Sequence, residues 1–230
     1  MAYSPRMSEL SRLIDDDQTG IPAIGAYLDG LDAETRWREV GALRRAQQRM
    51  LYEKAAHARP IDLAHFVGDA GEREEVIHDG INTLPLPQPL RRFQKRFCRP
   101  PVNGHGPRLF GYNEGPTRKV VGPGFFVAIP TDGRPHWTAR GPVVVDYYQV
   151  PDGPVAEGWP SVVPNDWRLQ RFVYNGTRDF MRKVSAHVSI GAAFKGERPL
   201  DHYFVLCRRD RKSTRLNSSH QSVSRMPSSA

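Results

Sequence analysis

The sequence predicts an α+β protein, in which an N-terminal helical segment is followed by an antiparallel β-rich domain with a curled or barrel-like sheet. Three observations predict this class. Apolar residues recur at helical spacing early in the chain, a proline-rich stretch follows, and the rest consists of short apolar runs separated by Gly and Pro. The predicted divisions are a helical segment at 1–67, a linker at 68–90 and the β-rich domain at 91–209.

Helical spacing accounts for most of the first segment. Residues 8–16 predict a short amphipathic helix, and residues 21–31 predict a further turn or two. Asp32 has the residue type and position of an N-cap, and we expect the helix that it starts to extend through 32–57. A last short helix is predicted at 62–67.

Short strands fill the chain after the linker. Residues 175–176 are Asn-Gly, which indicates a two-residue hairpin turn, and residues 195–199 are predicted to close a second hairpin. Residues 180–188 fit helical spacing, so a helix or a bent strand is the first interpretation there and a regular strand is the second. The predicted strands are 93–99, 109–113, 125–130, 143–150, 169–174, 177–184, 187–194 and 201–208.

Composition excludes several classes of protein. The 230 residues contain no apolar run near the roughly 20 residues that a membrane helix needs. No signal-peptide pattern is present at the N-terminus, so we expect a cytoplasmic protein. Cys98 and Cys207 lie in strand-like runs and are predicted to be small buried side chains. The histidines before residue 210 lack metal-binding spacing, and the sequence predicts no metal and no cofactor.

The function that the sequence favours is non-enzymatic binding of a small amphipathic or anionic molecule. If the strands curl, aromatic side chains on their inner faces predict a partly apolar pocket. Phe125, Val127 and Ile129 share one such face, although a plainly packed core fits the same residues. The predicted ligand-binding residues, of which Asp146, Arg178 and Arg182 orient the ligand, are Asp146, Tyr147, Tyr174, Arg178, Arg182, His187 and Tyr203.

Two other functions would use partly overlapping sets of residues. An enzyme would use His187 or His202 as a general base, which requires one of them to lie in a concave site within hydrogen-bond reach of a carboxylate or hydroxyl. A nucleic-acid-binding protein would use the basic and aromatic run at 91–99 together with the cations at 178–183, on one face. The second is not favoured, because any half-buried strand with a charged outer face produces the same alternation.

The C-terminal residues have an unusual pattern. Residues 210–220 and 224–230 resemble, in two separate blocks and one reading frame, the translated sequence of a short-read sequencing adapter. We therefore interpret 210–230 as an artefactual adapter-derived tail and leave it out of the fold and function reasoning. Removing its four basic residues and one acidic residue lowers the net charge from +8 to +5, which only weakly favours anionic partners.

Overall fold

The structure is a computed structural model that describes residues 7–102 and 105–210. Most of the tail that resembles an adapter, residues 211–230, therefore lies outside the described residues. The order of elements confirms the predicted class, because a helical segment precedes an antiparallel barrel.

The helical segment contains short helices with defined caps. Ser8 and Asp32 accept backbone N–H groups with their side chains and begin the first and third helices, as N-caps do. The long helix predicted at 32–57 is wrong as a single element, because the chain is extended at Arg44 and its N–H donates to the Gln47 side chain. The helices are α1 (Glu9–Asp15), α2 (Ile21–Asp29), α3 (Ala33–Gly41), α4 (Arg45–Lys54), a 3-10 turn (Ala55–His57) and α5 (Ala64–Val67).

Eight antiparallel strands form a closed barrel in which each strand pairs with its neighbours in sequence and the last pairs with the first. Short helices lie in the connections: α6 (Gln88–Arg91), α7 (Arg118–Val121), α8 (Pro135–Thr138) and α9 (Gln170–Val173). The strands are β1 (Val76–Asn82), β2 (Arg92–Cys98), β3 (Leu109–Glu114), β4 (Phe126–Pro130), β5 (Val143–Asp146), β6 (Thr177–Lys183), β7 (Val188–Lys195) and β8 (Arg198–Arg208).

Several predicted elements differ from these. Strand β1 lies inside the predicted linker at 68–90, where His78 and Gly80 occupy inward positions that give no apolar alternation. The predicted strand at 169–174 is α9, so the Asn-Gly turn at 175–176 has no strand before it. Strand β5 ends at Asp146, short of the predicted 150. The helix interpretation of 180–188 is wrong, whereas the hairpin at 195–199 is confirmed by the pairing of Lys195 with Arg198.

The helices pack on the outside of the barrel. They cover the outer face of β7 and β8 and share with it one hydrophobic core, whose strand residues include Val188, Ile190 and Val205. Alternate residues of β8, Phe204 and Leu206, point inward and form a second core with the other strands. At one end of the barrel α5 contributes Phe66 and Val67 to this inner core, and at the other end Tyr174, directly after α9, packs against it.

Gly111 allows the interior to pack. A Cβ atom at this position would overlap the ring of Phe126 and lie 2.6 Å from the carbonyl oxygen of Arg96. We expect Gly111→Ala to lower the free energy of unfolding by about 1–3 kcal/mol, because overpacking forces the neighbours to move. Urea denaturation measures the change. Gly106→Ala is the matched control, since a Cβ atom there would have nothing within 4 Å, and an equal loss in both variants would contradict the prediction.

In the part of the chain that the structure describes, no helix has both the length and the apolar character needed to cross a bilayer. The same residues contain no cluster of three or more His, Cys, Asp or Glu side chains suited to a metal ion. Cys98 and Cys207 are buried as free thiols, as expected for small core side chains.

Candidate functional site

A buried lysine lies at the centre of the barrel. Lys95 points inward from β2, and its side chain is 2% exposed. Its Nζ atom lies 3.1 Å from the Asp179 carboxylate on β6 and donates to Asn113 Oδ1 at 3.2 Å and to the Tyr147 hydroxyl. Three acceptors thus match the three N–H donors of an ammonium group.

Aromatic faces surround this ammonium group. Its nitrogen lies 4.8 Å from the ring centroid of Phe126, 4.9 Å from that of Tyr147 and 4.8 Å from that of Phe204. These distances are within the range of cation–π attraction, which partly replaces the lost hydration. Lys95 is therefore held by one carboxylate, two neutral acceptors and three rings.

Burial disfavours both charges of the pair. It lowers the pKa of Lys95 and raises the pKa of Asp179, while the attraction between the two groups opposes each shift. Burial, followed by the nearby Asp179 charge, also raises the pKa of Tyr147 well above its ordinary value. The hydroxyl of Tyr147 therefore remains protonated and donates to a neighbouring oxygen.

The segment around α9 closes the barrel above this cluster. Tyr174 stacks on Tyr147 with 5.3 Å between ring centroids, and it packs against Gly124, which has a φ of 52°. Gln170 accepts the N–H of Gly124 at 2.8 Å, and Asn113 donates to the Gly124 carbonyl at 3.0 Å. The cluster is therefore covered by tightly packed side chains, and its groups bond to one another.

Sequence reasoning missed the function of Lys95 in this cluster and assigned it to a basic run on the surface. The signal was present, because Phe93, Lys95 and Phe97 have the same parity on one strand and so share one face. Asp179 was missed as well. Its register partner Ala193 and its neighbour Met181 place it on the inner face.

The predicted ligand-binding residues lie in three different places. Tyr147 and Tyr174 meet at the closed end of the barrel. Asp146 and Arg178 pair on the outer face, with 3.3 Å between Oδ1 and Nε. Tyr203 also faces outward, where its ring lies 5.6 Å from that of Tyr52.

Arg182 and His187, the other two predicted residues, lie at the end of the barrel opposite α9. Arg182 donates to the carbonyl oxygens of Tyr52, Ala139 and Arg140, so its guanidinium group already holds the backbone. His187 is half-buried in the connection between β6 and β7, and burial lowers its pKa. The seven residues do not form one site.

The residues of β4 that were predicted to line a pocket inside the barrel lie on its outer face. Val127 and Ile129 point outward into a small cluster with Cys98 and Phe110, whereas Phe126 and Ala128 point inward. Both faces of this strand are apolar, so its alternation carries no contrast that selects the inner one.

The residues that the two alternative functions would use, two histidines and two basic runs, lie in separate parts of the barrel. His187 Nδ1 lies 3.9 Å from Asp210, which belongs to the adapter-like tail, and His202 Nδ1 is buried without a hydrogen-bond partner in the described residues. Strands β2 and β6 lie four positions apart in the ring of eight, so the two basic runs occupy opposite sides of the barrel.

A groove lies outside the barrel, where the helical layer meets the connection between β6 and β7. It has a volume of about 420 Å³, and a neighbouring hollow of about 220 Å³ shares Ala58, Arg59 and Lys183 with it. Its walls are mostly apolar on the α2 side, where Ile21 and Pro22 lie. It therefore combines apolar walls with two cationic side chains.

The side chains of Arg59 and Lys183 have hydrogen-bond donors available for an anion. Within residues 7–102 and 105–210, neither the Arg59 nor the Lys183 side chain forms a hydrogen bond or an ion pair. The carboxylate in the groove is that of Asp29, and it already accepts the N–H of Ala186 at 2.9 Å and 3.1 Å. His57 adds an exposed imidazole to the same wall.

Comparisons with protein-family models, with curated proteins and with solved structures find no match to this chain. Function is therefore inferred from the geometry of these side chains alone.

Proposed function

We propose that this protein binds a small amphipathic anion in the groove between the helical layer and the barrel. The observation that carries the proposal is the pair of unpaired cations, Arg59 and Lys183, beside an apolar wall in the groove of about 420 Å³. Small-molecule sites combine mostly apolar walls with a few convergent polar groups, and this groove has that composition.

The chemistry of the groove indicates how such a ligand is oriented. A carboxylate or phosphate lies between Arg59 and Lys183, and the apolar part of the ligand lies against Ile21, Pro22 and Val184. The ligand class is the one expected from the sequence, but its site lies outside the barrel and not on the inner faces of the strands. The inner faces of the strands are occupied by buried side chains such as Lys95, Phe126 and Tyr147.

We propose that the protein acts in the cytoplasm. Its two cysteines are buried as free thiols on different strands, β2 and β8, which agrees with a reducing compartment.

The test uses octyl phosphate and octanoate as probes, with octanol as the uncharged control. We expect both anions to bind more tightly than octanol, because the alcohol lacks the charge that Arg59 and Lys183 recognise. The double variant R59M/K183M should weaken binding of octyl phosphate about tenfold or more, since each lost charge-assisted hydrogen bond contributes about 1.5–3 kcal/mol. Isothermal titration calorimetry measures the dissociation constants.

Arg198→Met is the matched control. Arg198 is exposed at the start of β8, at the end of the barrel opposite the groove, so its loss removes one positive charge without altering the groove. Equal dissociation constants for wild type and R59M/K183M would overturn the proposal, and so would octanol binding as tightly as octyl phosphate.

A further inference from the structure

The segment 165–173, which includes α9, buries polar side chains and exposes apolar ones, the reverse of an ordinary surface loop. Asn165 and Gln170 are 4% and 1% exposed, whereas Trp167 and Phe172 are 49% and 70% exposed. Leu169 and Val173 are exposed by 46% and 44%. Four exposed large apolar side chains within seven residues form a patch of the kind that marks an interaction surface.

The buried polar residues explain why this arrangement is held in place. Asn165 donates from its amide nitrogen to the carbonyl oxygens of Phe125 at 2.6 Å and Tyr147 at 2.9 Å. Gln170 accepts the N–H of Gly124 at 2.8 Å. These bonds tie the segment to the barrel through Asn165 and Gln170 and leave the four apolar side chains exposed.

Two arginines accompany the exposed aromatic rings. The guanidinium carbon of Arg168 lies 4.2 Å from the ring centroid of Trp167, and that of Arg171 lies 5.0 Å from that of Phe172. Neither arginine pairs with a carboxylate among the described residues. The nearby acids are Asp166, which is exposed, and Glu114, which pairs with Arg118 on α7.

Helix α7 extends the same surface. Its residue Val120 is 68% exposed, and Lys119 beside it is also exposed. The two short helices adjoin, because the Gln170 side chain packs over Gly122 directly after α7. We call the exposed surface formed by 167–173 and 119–120 the cap surface.

We propose that the cap surface docks on an anionic lipid membrane. Trp and Phe side chains insert at the level of the lipid headgroups, and arginines held against their rings meet the headgroup phosphates and carboxylates at the same depth. An apolar patch with unpaired cations has the charge and polarity that such a surface requires. The cap surface and the groove lie at opposite ends of the barrel, so this inference goes beyond the proposed function.

The test is flotation of the full chain with vesicles of phosphatidylcholine and phosphatidylserine, compared with vesicles of phosphatidylcholine alone. We expect binding to the mixed vesicles that weakens as salt is raised. The variants W167S/F172S and R168Q/R171Q should each reduce the partition coefficient about tenfold, because the first removes the inserted rings and the second removes two charges near the surface.

Two control variants isolate the cap surface. V102S replaces an apolar side chain that is 93% exposed elsewhere, and R38Q/R44Q removes two exposed cations from the helical layer, away from the cap surface. The basic residues at 211–230 are present in every variant, so their attraction to lipid cancels in the comparison. The proposal is overturned if wild type does not prefer the mixed vesicles, or if W167S/F172S binds them as well as wild type does. That second result is the one expected of a surface that serves a protein partner.

Groove binding and membrane docking are separable in the same experiments. The groove variant R59M/K183M should lose octyl phosphate binding and keep flotation, whereas W167S/F172S should show the reverse. The loss of both activities in either variant, with an unchanged melting temperature, would contradict the assignment of two independent surfaces.

Discussion

Asp179→Leu lowers the free energy of unfolding by about 3–5 kcal/mol, because removing one partner of a buried ion pair leaves the other charge without compensation. Lys95 would remain inside the barrel, where its side chain is 2% exposed and its other acceptors, Asn113 and Tyr147, carry no charge. Urea denaturation near neutral pH measures the loss. Lys95→Met has a similar expected cost, since Asp179 then stays buried alone.

The double variant K95M/D179L separates the cost of an unpaired charge from the value of the pair. Buried ion pairs can be replaced by apolar side chains of similar size with little loss, because neither partner then has to be desolvated. We expect the double variant to recover most of the stability that either single variant loses. Phe126, Phe204 and Tyr147 already surround the position of Nζ and offer an apolar environment to a methionine.

Additive losses in the double variant would contradict this account. Additivity is expected of residues that do not interact, whereas residues in one network couple by about 0.5–3 kcal/mol. Glu53→Leu is a useful control, because Glu53 pairs with Arg49 at 3.1 Å on α4 and both side chains are more than half exposed. The cost of that change should be about 0–1 kcal/mol, as for other solvent-exposed pairs.

The sequence predicted most of the elements but not the buried cluster around Lys95 or the inward face of β4. Binary patterning treats lysine as a solvent-facing residue, yet Lys95 lies between two inward phenylalanines and has its counter-charge 84 residues away on β6. No local pattern pairs two residues so distant in sequence. On β4 both faces are covered, one by the barrel interior and one by a loop, so parity could not select the inner face.

The α9 segment shows why local propensity failed there. Its Trp, Leu, Phe and Val side chains favour a strand, and the Asn-Gly pair after it favours a hairpin. The buried amides of Asn165 and Gln170 instead tie it across the end of the barrel. Long-range hydrogen bonds therefore override the intrinsic preference, and they also create the exposed cap surface that the sequence alone did not predict.

Acid should destabilise the folded protein through two buried histidines at the end of the barrel opposite α9. Burial lowers the pKa of His78 to about 4, and burial together with His78 and Arg208 lowers the pKa of His65 well below its ordinary value. The His78 Nε2–H donates to the Phe66 carbonyl at 2.8 Å, so its Nδ1 is an unprotonated acceptor, and that atom has no partner among the described residues.

The folded and unfolded states differ in how many protons they bind at His78, and this difference sets the direction in which stability changes with pH. Between pH 4 and the ordinary value of 6.5, the unfolded chain binds a proton at His78 that the folded chain does not bind. The free energy of unfolding therefore rises with pH in this window. The stability that neutral His78 contributes is fully present above about pH 6.5 and is lost as the pH falls toward about 4.

Cationic neighbours add to the effect of burial and further oppose protonation of the two histidines in the folded protein. Arg208 pairs with His78 across β1 and β8 and donates to the carbonyl of His65 at 2.5 Å, while Lys183 and His187 also lie near enough to oppose a further positive charge. Asp79 acts in the opposite sense on His78, but more weakly than Arg208.

Urea denaturation at about pH 7.5 and about pH 5 in wild type and H78N isolates the contribution of His78. Because carboxylates elsewhere also titrate, the measured quantity is the difference between the two pH dependences. We expect wild type to lose about 2 kcal/mol more than H78N over this range, given the size of the shift. H136N, at an exposed histidine on α8, is the control and should follow wild type. If H78N loses as much stability as wild type on acidification, His78 is not the group that titrates, and the acid sensitivity must come from His65 or from the carboxylates.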